Sequence, residues 1–153
     1  MERIAVDDVE IFMSAASECR PLSRALETTD VAINHYVVEP GEAFSAGFHT
    51  HDDQEEIFYI IRGEATFDTE EGTVTLGPDE AIRFSPGDFQ HGYNEGDEPV
   101  QALALGAPRE TETGYILCET CDDIGEIEMN MTETRDAIVV SCSNCGTAID
   151  RFD

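Results

Sequence analysis

From residue 31 to residue 107 the chain is a succession of short β-type segments, each closed by a turn signal, and this pattern constrains the fold more than any other feature. The segments are VAINHYVVE (31–39), EIFYIIRG (56–63), EATFD (64–68), TVTL (73–76), EAIRFS (80–85) and VQALALG (100–106). They are rich in β-branched and aromatic residues, which fit a pleated surface. Pro40-Gly41, Arg62-Gly63, Glu71-Gly72, Gly77-Pro78, Pro86-Gly87 and Glu95-Gly96 punctuate them. No helical run of useful length interrupts the series. Short strands at this spacing predict an all-β sandwich or barrel over 31–108. Residues 1–30 read as an N-terminal arm, broken by Pro21 and the polar run 27–30, with a helical turn at SRALE. Residues 113–153 read as a separate cysteine-bearing tail.

The four histidines carry the first chemistry: His35, His49, His51 and His91. In an extended segment His49-Thr50-His51 places both imidazoles on one face, because side chains alternate with period two. Glu56 opens the next strand and shares its face with Phe58 and Ile60. Adjacent Glu55 faces the opposite side of the strand; the spacing to Gly63 in the motif described below selects Glu56 and leaves Glu55 as a solvated charge. His91 arrives in Pro86-Gly87-Asp88-Phe89-Gln90-His91-Gly92-Tyr93-Asn94. Three imidazoles and one carboxylate suit a divalent first-row metal that keeps open positions.

This arrangement resembles the cupin family. Its first motif is a Gly, His-x-His, a short gap, Glu, six residues and Gly, met here by His49, His51, Glu56 and Gly63. Its second is Pro-x-Gly-x-x-His followed by Asn. Pro86 and His91 match, Asp88 stands where Gly is usual, and Asn94 comes one residue early. The resemblance covers about residues 22–108. It implies a double-stranded β-helix of jelly-roll type, usually dimeric, with His49, His51, Glu56 and His91 as ligands to one transition metal: Fe, Mn, Ni, Cu or Zn. It does not fix a reaction, since cupins include dioxygenases, sugar-phosphate isomerases, decarboxylases and pure ligand binders.

Strand parity names candidate contacts for a small-molecule ligand. Phe58 and Ile60 share the face of Glu56, and Tyr93 shares that of His91. Arg62 and Arg83 are scarce cations, suited either to an anionic substrate or to surface ion pairs. Tyr93 reads as packing or as a catalytic proton donor. His35 reads as a hydrogen-bonded structural residue or as a pocket acid/base. Ile57, Tyr59 and Ile61 face away from the site, and an apolar outer face implies a homodimer through the barrel.

The cysteines carry the second chemistry. Cys118-Glu119-Thr120-Cys121 and Cys142-Ser143-Asn144-Cys145 are two C-x-x-C pairs 20 residues apart. That spacing reads as a tetrahedral four-cysteine site, and the segment resembles a zinc ribbon holding one structural Zn. A rubredoxin-like iron site is the alternative, although rubredoxins usually carry a Trp and this chain has none. GEIEMNM (125–131), DAIVVS (136–141) and TAIDRF (147–152) read as the ribbon strands. With only Arg135 and Arg151 basic in the tail, the ribbon suits a structural role or a protein partner better than nucleic acid. Cys19 has no partner in sequence and reads as a small residue packed in the arm.

Charge bounds the setting. With 34 Asp and Glu, 8 Arg, no Lys and a net charge of −26, contact with a phosphate backbone or an anionic bilayer is disfavoured. The apolar fraction of 41% is that of a folded protein. Acidity without Lys reads as adaptation to molar salt, of halophilic-archaeal type. The N-terminus has no basic n-region or apolar h-region, so a cytoplasmic protein with reduced thiols is expected. Two functional readings stand: a mononuclear metalloenzyme of oxygenase or isomerase type, or a metal-dependent binding or sensor protein whose ribbon docks a partner.

Overall fold

In the computed structural model, which describes residues 1–111 and 113–153, these segments become two antiparallel sheets that face each other. The arm carries a 3₁₀ turn at Val6–Asp8, strand β1 (Glu18–Pro21) and a single helical turn, α1 (Leu22–Ala25). The barrel follows as β2 (Ala32–Val38), β3 (His49–His51), β4 (Glu55–Arg62), β5 (Ala65–Thr69), β6 (Gly72–Leu76), β7 (Ala81–Phe84), β8 (Gln90–Tyr93) and β9 (Val100–Ala107). The tail supplies β10 (Gly114–Cys118), β11 (Asp123–Met131), β12 (Ile138–Cys142) and β13 (Ala148–Phe152).

The first sheet has the order β1-β2-β9-β4-β7 and the second β13-β12-β11-β10-β3-β8-β5-β6. Strand β9 shows the period-two logic: Val100, Ala102, Ala104 and Gly106 are buried, while the residues between them are half-buried on the outer face. In β4, Phe58 and Ile60 point inward and Ile57, Tyr59 and Ile61 outward. A bulge between Ile60 and Arg62 ends that alternation and leaves Arg62 exposed. Four phenylalanines, Phe44, Phe58, Phe67 and Phe84, fill the space between the sheets with ring centroids 5.0 to 6.2 Å apart. Such offset and edge contacts add to the area each ring buries. Gly92 is required by this packing: a Cβ there would lie 2.5 Å from the Phe67 ring and 2.9 Å from Phe44.

The tail is continuous with the barrel. Strand β10 lies antiparallel beside β3, with Ile116 opposite His49 and Gly114 opposite His51. On the other side β3 shares a single register pair with β8, His49 opposite Gln90. The strand that carries both imidazoles is therefore held along its length by the first strand of the tail. No helix among the described residues is long and apolar enough to cross a membrane.

Candidate metal centre

His49, His51 and Glu56 converge, with their ligating atoms all within 4.8 Å of one another. The two imidazoles meet edge to face at 5.2 Å between ring centroids. His49 Nδ1 lies 2.9 Å from the Gly47 carbonyl, so Nδ1 carries the proton and donates it, and Nε2 turns its lone pair to the centre. His51 Nε2 stands 3.9 Å from Glu56 Oε2. Ligands about 2.1 Å from one ion lie roughly 3.0 to 3.4 Å apart, so a small contraction closes this set around a first-row cation. Glu55 turns outward to accept a hydrogen bond from Arg83 at 2.6 Å, as alternation requires.

Burial sets the protonation of the metal-free site. It pushes the His49 imidazole down to about 4 and lowers His51 as well, so both present neutral nitrogen. It pushes the Glu56 carboxyl up to about 7, opposed by a hydrogen bond from Gln90. A buried neutral cluster of this kind is poised to exchange one proton for a cation.

His91, expected as the third imidazole, is not part of the group whose ligating atoms lie within 4.8 Å of one another, although its charge still reaches His49. On β8 the buried residues are Gln90 and Gly92, and the latter's missing Cβ would point into the phenylalanine core. His91 and Tyr93 therefore share the outer face, with ring centroids 5.4 Å apart and Asp68 opposite His91 in the register. His91 instead lines a second cavity, of about 470 Å³, between the barrel and the tail. Gln90 reaches the centre instead: its Nε2 donates to Glu56 Oε2 at 3.0 Å and lies 3.4 Å from His49 Nε2.

A cavity of about 550 Å³ opens over the centre. Tyr36, Phe44 and Phe58 of the barrel form its floor and wall, and Phe12, Cys19 and Arg24 of the arm close one side. Ile127, Ile138, Val140 and Phe152 of the tail roof it. Of the expected ligand contacts only Phe58 is part of this lining. Ile60 is fully buried in the core. Arg62 is exposed, Arg83 is engaged with Glu55, and the Tyr93 hydroxyl donates to Asp68 on the outer face. His35 also faces outward, opposite Arg20 and Leu103. Cys19 is buried beneath Tyr36.

The cavity exposes groups that the sequence pattern did not single out. Tyr36 is half-buried against the core, and desolvation there raises its hydroxyl well above the ordinary range, so it stays protonated. Arg24 and Arg109 both line the opening. Neither forms an ion pair among the described residues. Arg24 lies 4.7 Å from the centroid of the Phe12 ring, and Arg109 donates to the Thr28 carbonyl.

The four tail cysteines form a second group. Their sulfurs all lie within 4.8 Å, with Cys118 to Cys145 at 3.7 Å and Cys121 to Cys142 at 3.9 Å. Four thiolates at about 2.3 Å around a tetrahedral ion stand about 3.8 Å apart, so the set fits such an ion. Each pair sits on a tight turn: Asp122 N–H donates to the Cys118 carbonyl at 2.9 Å, and Gly146 N–H to that of Cys142 at 2.7 Å. Gly125 allows the close approach, since a Cβ there would lie 2.8 Å from Cys142 Sγ. Hydrogen bonds from the Thr147 hydroxyl and backbone hold the Cys145 thiol down to about 6.

Residues 34–106 match the family model described as Cupin domain. No curated protein sequence matches this chain. Solved structures do. One is a sugar phosphate isomerase of the cupin superfamily from Silicibacter pomeroyi (TM-score 0.64, 19% identity, covering 93% of this chain and 88% of that one). A second is a polyketide cyclase from Streptomyces resistomycificus (0.65, 20%, 80% and 89%). A third is a predicted oxalate decarboxylase from Thermotoga maritima (0.60, 19%, 69% and 98%). At these identities the likeness is one of fold. The family match covers just under half of the chain, and with the strand order and the structural likeness it shows that the barrel has the cupin fold, a double-stranded β-helix.

Proposed function

We propose that the barrel is a mononuclear metal site that binds and transforms a small molecule, with a structural zinc in the four-cysteine ribbon. The observation that carries this reading is the convergence of His49, His51 and Glu56 at the floor of a cavity of about 550 Å³. Two imidazoles and one carboxylate on one side of an ion leave positions open toward the cavity. A metal held there would act as a Lewis acid on a substrate oxygen, or support O₂ chemistry if it were Fe(II). The chain's own contribution is orientation and exclusion of water. The apolar walls take an apolar body, and the unpaired Arg24 and Arg109 favour an anionic group at the rim. Tyr36, held protonated, is the proton donor that the lining offers.

His49→Ala should abolish metal uptake by the barrel and turnover with it, leaving the ribbon metal in place. In wild-type protein the barrel affinity should rise with pH by up to about tenfold per unit from pH 5 to 7, then level off. The sign follows from Glu56: it holds a proton below about 7 in the metal-free site and must release it to ligate. Metal titrations at fixed pH values, read by elemental analysis, check both results. Turnover that survives complete removal of the barrel metal would overturn the reading.

The second reading is a non-catalytic binding or sensor protein whose ribbon docks a partner. Exposed Leu117, Ile124 and Met131 on the tail favour it. Ligand binding without any conversion of the ligand would decide for it. Either reading includes a homodimer through the outer face of the first sheet, where Ile57 lies opposite Leu105 and Tyr59 opposite Leu103. Both place the protein in a reducing, cytoplasmic setting that keeps four thiols available.

A further inference from the structure

We propose that the side-chain amide oxygen of Gln90 is a ligand to the barrel metal, completing a set of two imidazoles, one carboxylate and one amide. The inference rests on the reading of His49, His51 and Glu56 as a metal site. Gln90 is 2% exposed, and its amide tip lies between Glu56 Oε2 at 3.0 Å and His49 Nε2 at 3.4 Å. These spacings match the edges of a coordination shell around an ion about 2.1 Å from each donor. The other end of the same amide is unsatisfied: Gln90 Oε1 is buried with no hydrogen-bond partner among the described residues. Buried side-chain oxygens without a partner are uncommon in native structures and call for an explanation.

Amide rotation supplies one. A half-turn about the last side-chain bond exchanges Oε1 and Nε2 without moving the backbone. Without a cation, the NH₂ group correctly faces the Glu56 carboxylate. With a cation between these groups the N–H donors would be repelled, and the oxygen, with its lone pairs, faces inward. The position of Gln90 on β8 supports the same assignment. Gly87, with φ of 91°, sets the turn before the strand, and Asn94 anchors its end by donating to the Val38 and Glu98 carbonyls at 2.9 Å. Counted from these two fixed points, Gln90 occupies the place that His91 fills when the count starts from Pro86. A neutral oxygen donor in place of an imidazole makes the site harder. It shifts preference toward Mn(II) and Fe(II) relative to Ni(II), Cu(II) and Zn(II).

The test uses full-length protein with zinc in the ribbon, titrated with Mn(II) and followed by the EPR signal of the free ion. Gln90→Ala should weaken Mn(II) binding at least tenfold, Gln90→Glu should retain or tighten it, and Gln90→His should move selectivity toward Ni(II). A crystal structure of the Mn(II)-loaded wild type should place the amide oxygen about 2.0 to 2.3 Å from the ion. An amide more than about 3 Å from the bound ion, outside any ligand distance, or a Gln90→Ala protein that binds Mn(II) as tightly as wild type, overturns the inference alone. A wild-type barrel that takes up no divalent ion overturns both it and the metal-site reading.

Discussion

Replacing Cys118 by Ser should release the ribbon metal, unfold the tail and open the barrel cavity to solvent. The tail has little else to hold it. Its buried apolar side chains are Ile116, Cys118, Ala137, Val140 and Cys142, two of them candidate ligands themselves. A core of this size does not sustain a fold of about 40 residues, and structural zinc supplies roughly 10 to 16 kcal/mol in comparable small units. Cys118 also closes β10, the strand beside His49 and His51. Loss of the metal therefore frees β3 on the side where it makes most of its pairs, and removes Ile127, Ile138, Val140 and Phe152 from the roof of the cavity.

Hydrogen exchange with metal analysis checks this. Zinc should fall by one per chain, protection should vanish across residues 114–152, and β2, β4 and β9 should keep theirs. The barrel site, intact in sequence, should bind its own metal roughly tenfold or more weakly, the size of effect seen when the supports of metal ligands are removed. A tail that remains protected after the metal has gone would show that apolar packing, not the thiolates, holds it.

Much of this arrangement was legible in the chain, and the exceptions have identifiable causes. Alternation put Glu55 and Glu56 on opposite faces and Phe58 and Ile60 inward, because a buried face enforces register, and the motif spacing to Gly63 chose Glu56. The two C-x-x-C pairs announced their cluster because a tetrahedral ion needs that spacing. The second histidine motif misled by a single residue. Asp88 in place of Gly and the early Asn94 looked like two departures and are one displacement. The turn is set by Gly87, so each residue after it shifts by one. The parity between His91 and Tyr93 was right, and both moved to the outer face together. Arg62 failed for a different reason, since a bulge interrupts the alternation beside it. The cavity walls from the arm and the tail left no local pattern to read. They depend on pairing between segments more than 60 residues apart, such as β3 with β10. Arg24 and Arg109, the cations that do reach the cavity, were hidden for the same reason.

Salt should change the stability of this protein more than any surface substitution. The net charge of −26 is spread over 8728 Å², roughly one net charge per 340 Å² and about 18 Å between neighbours. At that spacing a pair repels by roughly 0.2 kcal/mol in water before screening. With roughly six neighbours each, nearest-neighbour repulsion amounts to about 10 kcal/mol at 0.01 M salt and about 3 at 0.1 M, and becomes negligible at 1 M, as the Debye length falls from about 30 to 3 Å. The first figure is comparable with the whole stability of an ordinary domain, about 5 to 15 kcal/mol. Local pairing offsets little of it. The arginine ion pairs are Arg20 with Glu18, Arg83 with Glu55, and Arg151 with Asp136 and Asp153, and exposed pairs contribute about 0 to 1 kcal/mol each. The unfolded chain spreads the same charges further apart, so the folded state bears most of the cost. Thermal unfolding of the zinc-loaded protein should therefore move upward by roughly 15 to 30 °C between 0.01 and 1 M KCl, at about 2 to 4 °C per kcal/mol for a chain of this size. Acid substitutions tested singly should move it by less than about 2 °C. A midpoint that stays flat across the salt series would mean that bound counter-ions or an assembly already neutralise the surface, and would remove the case for salt adaptation.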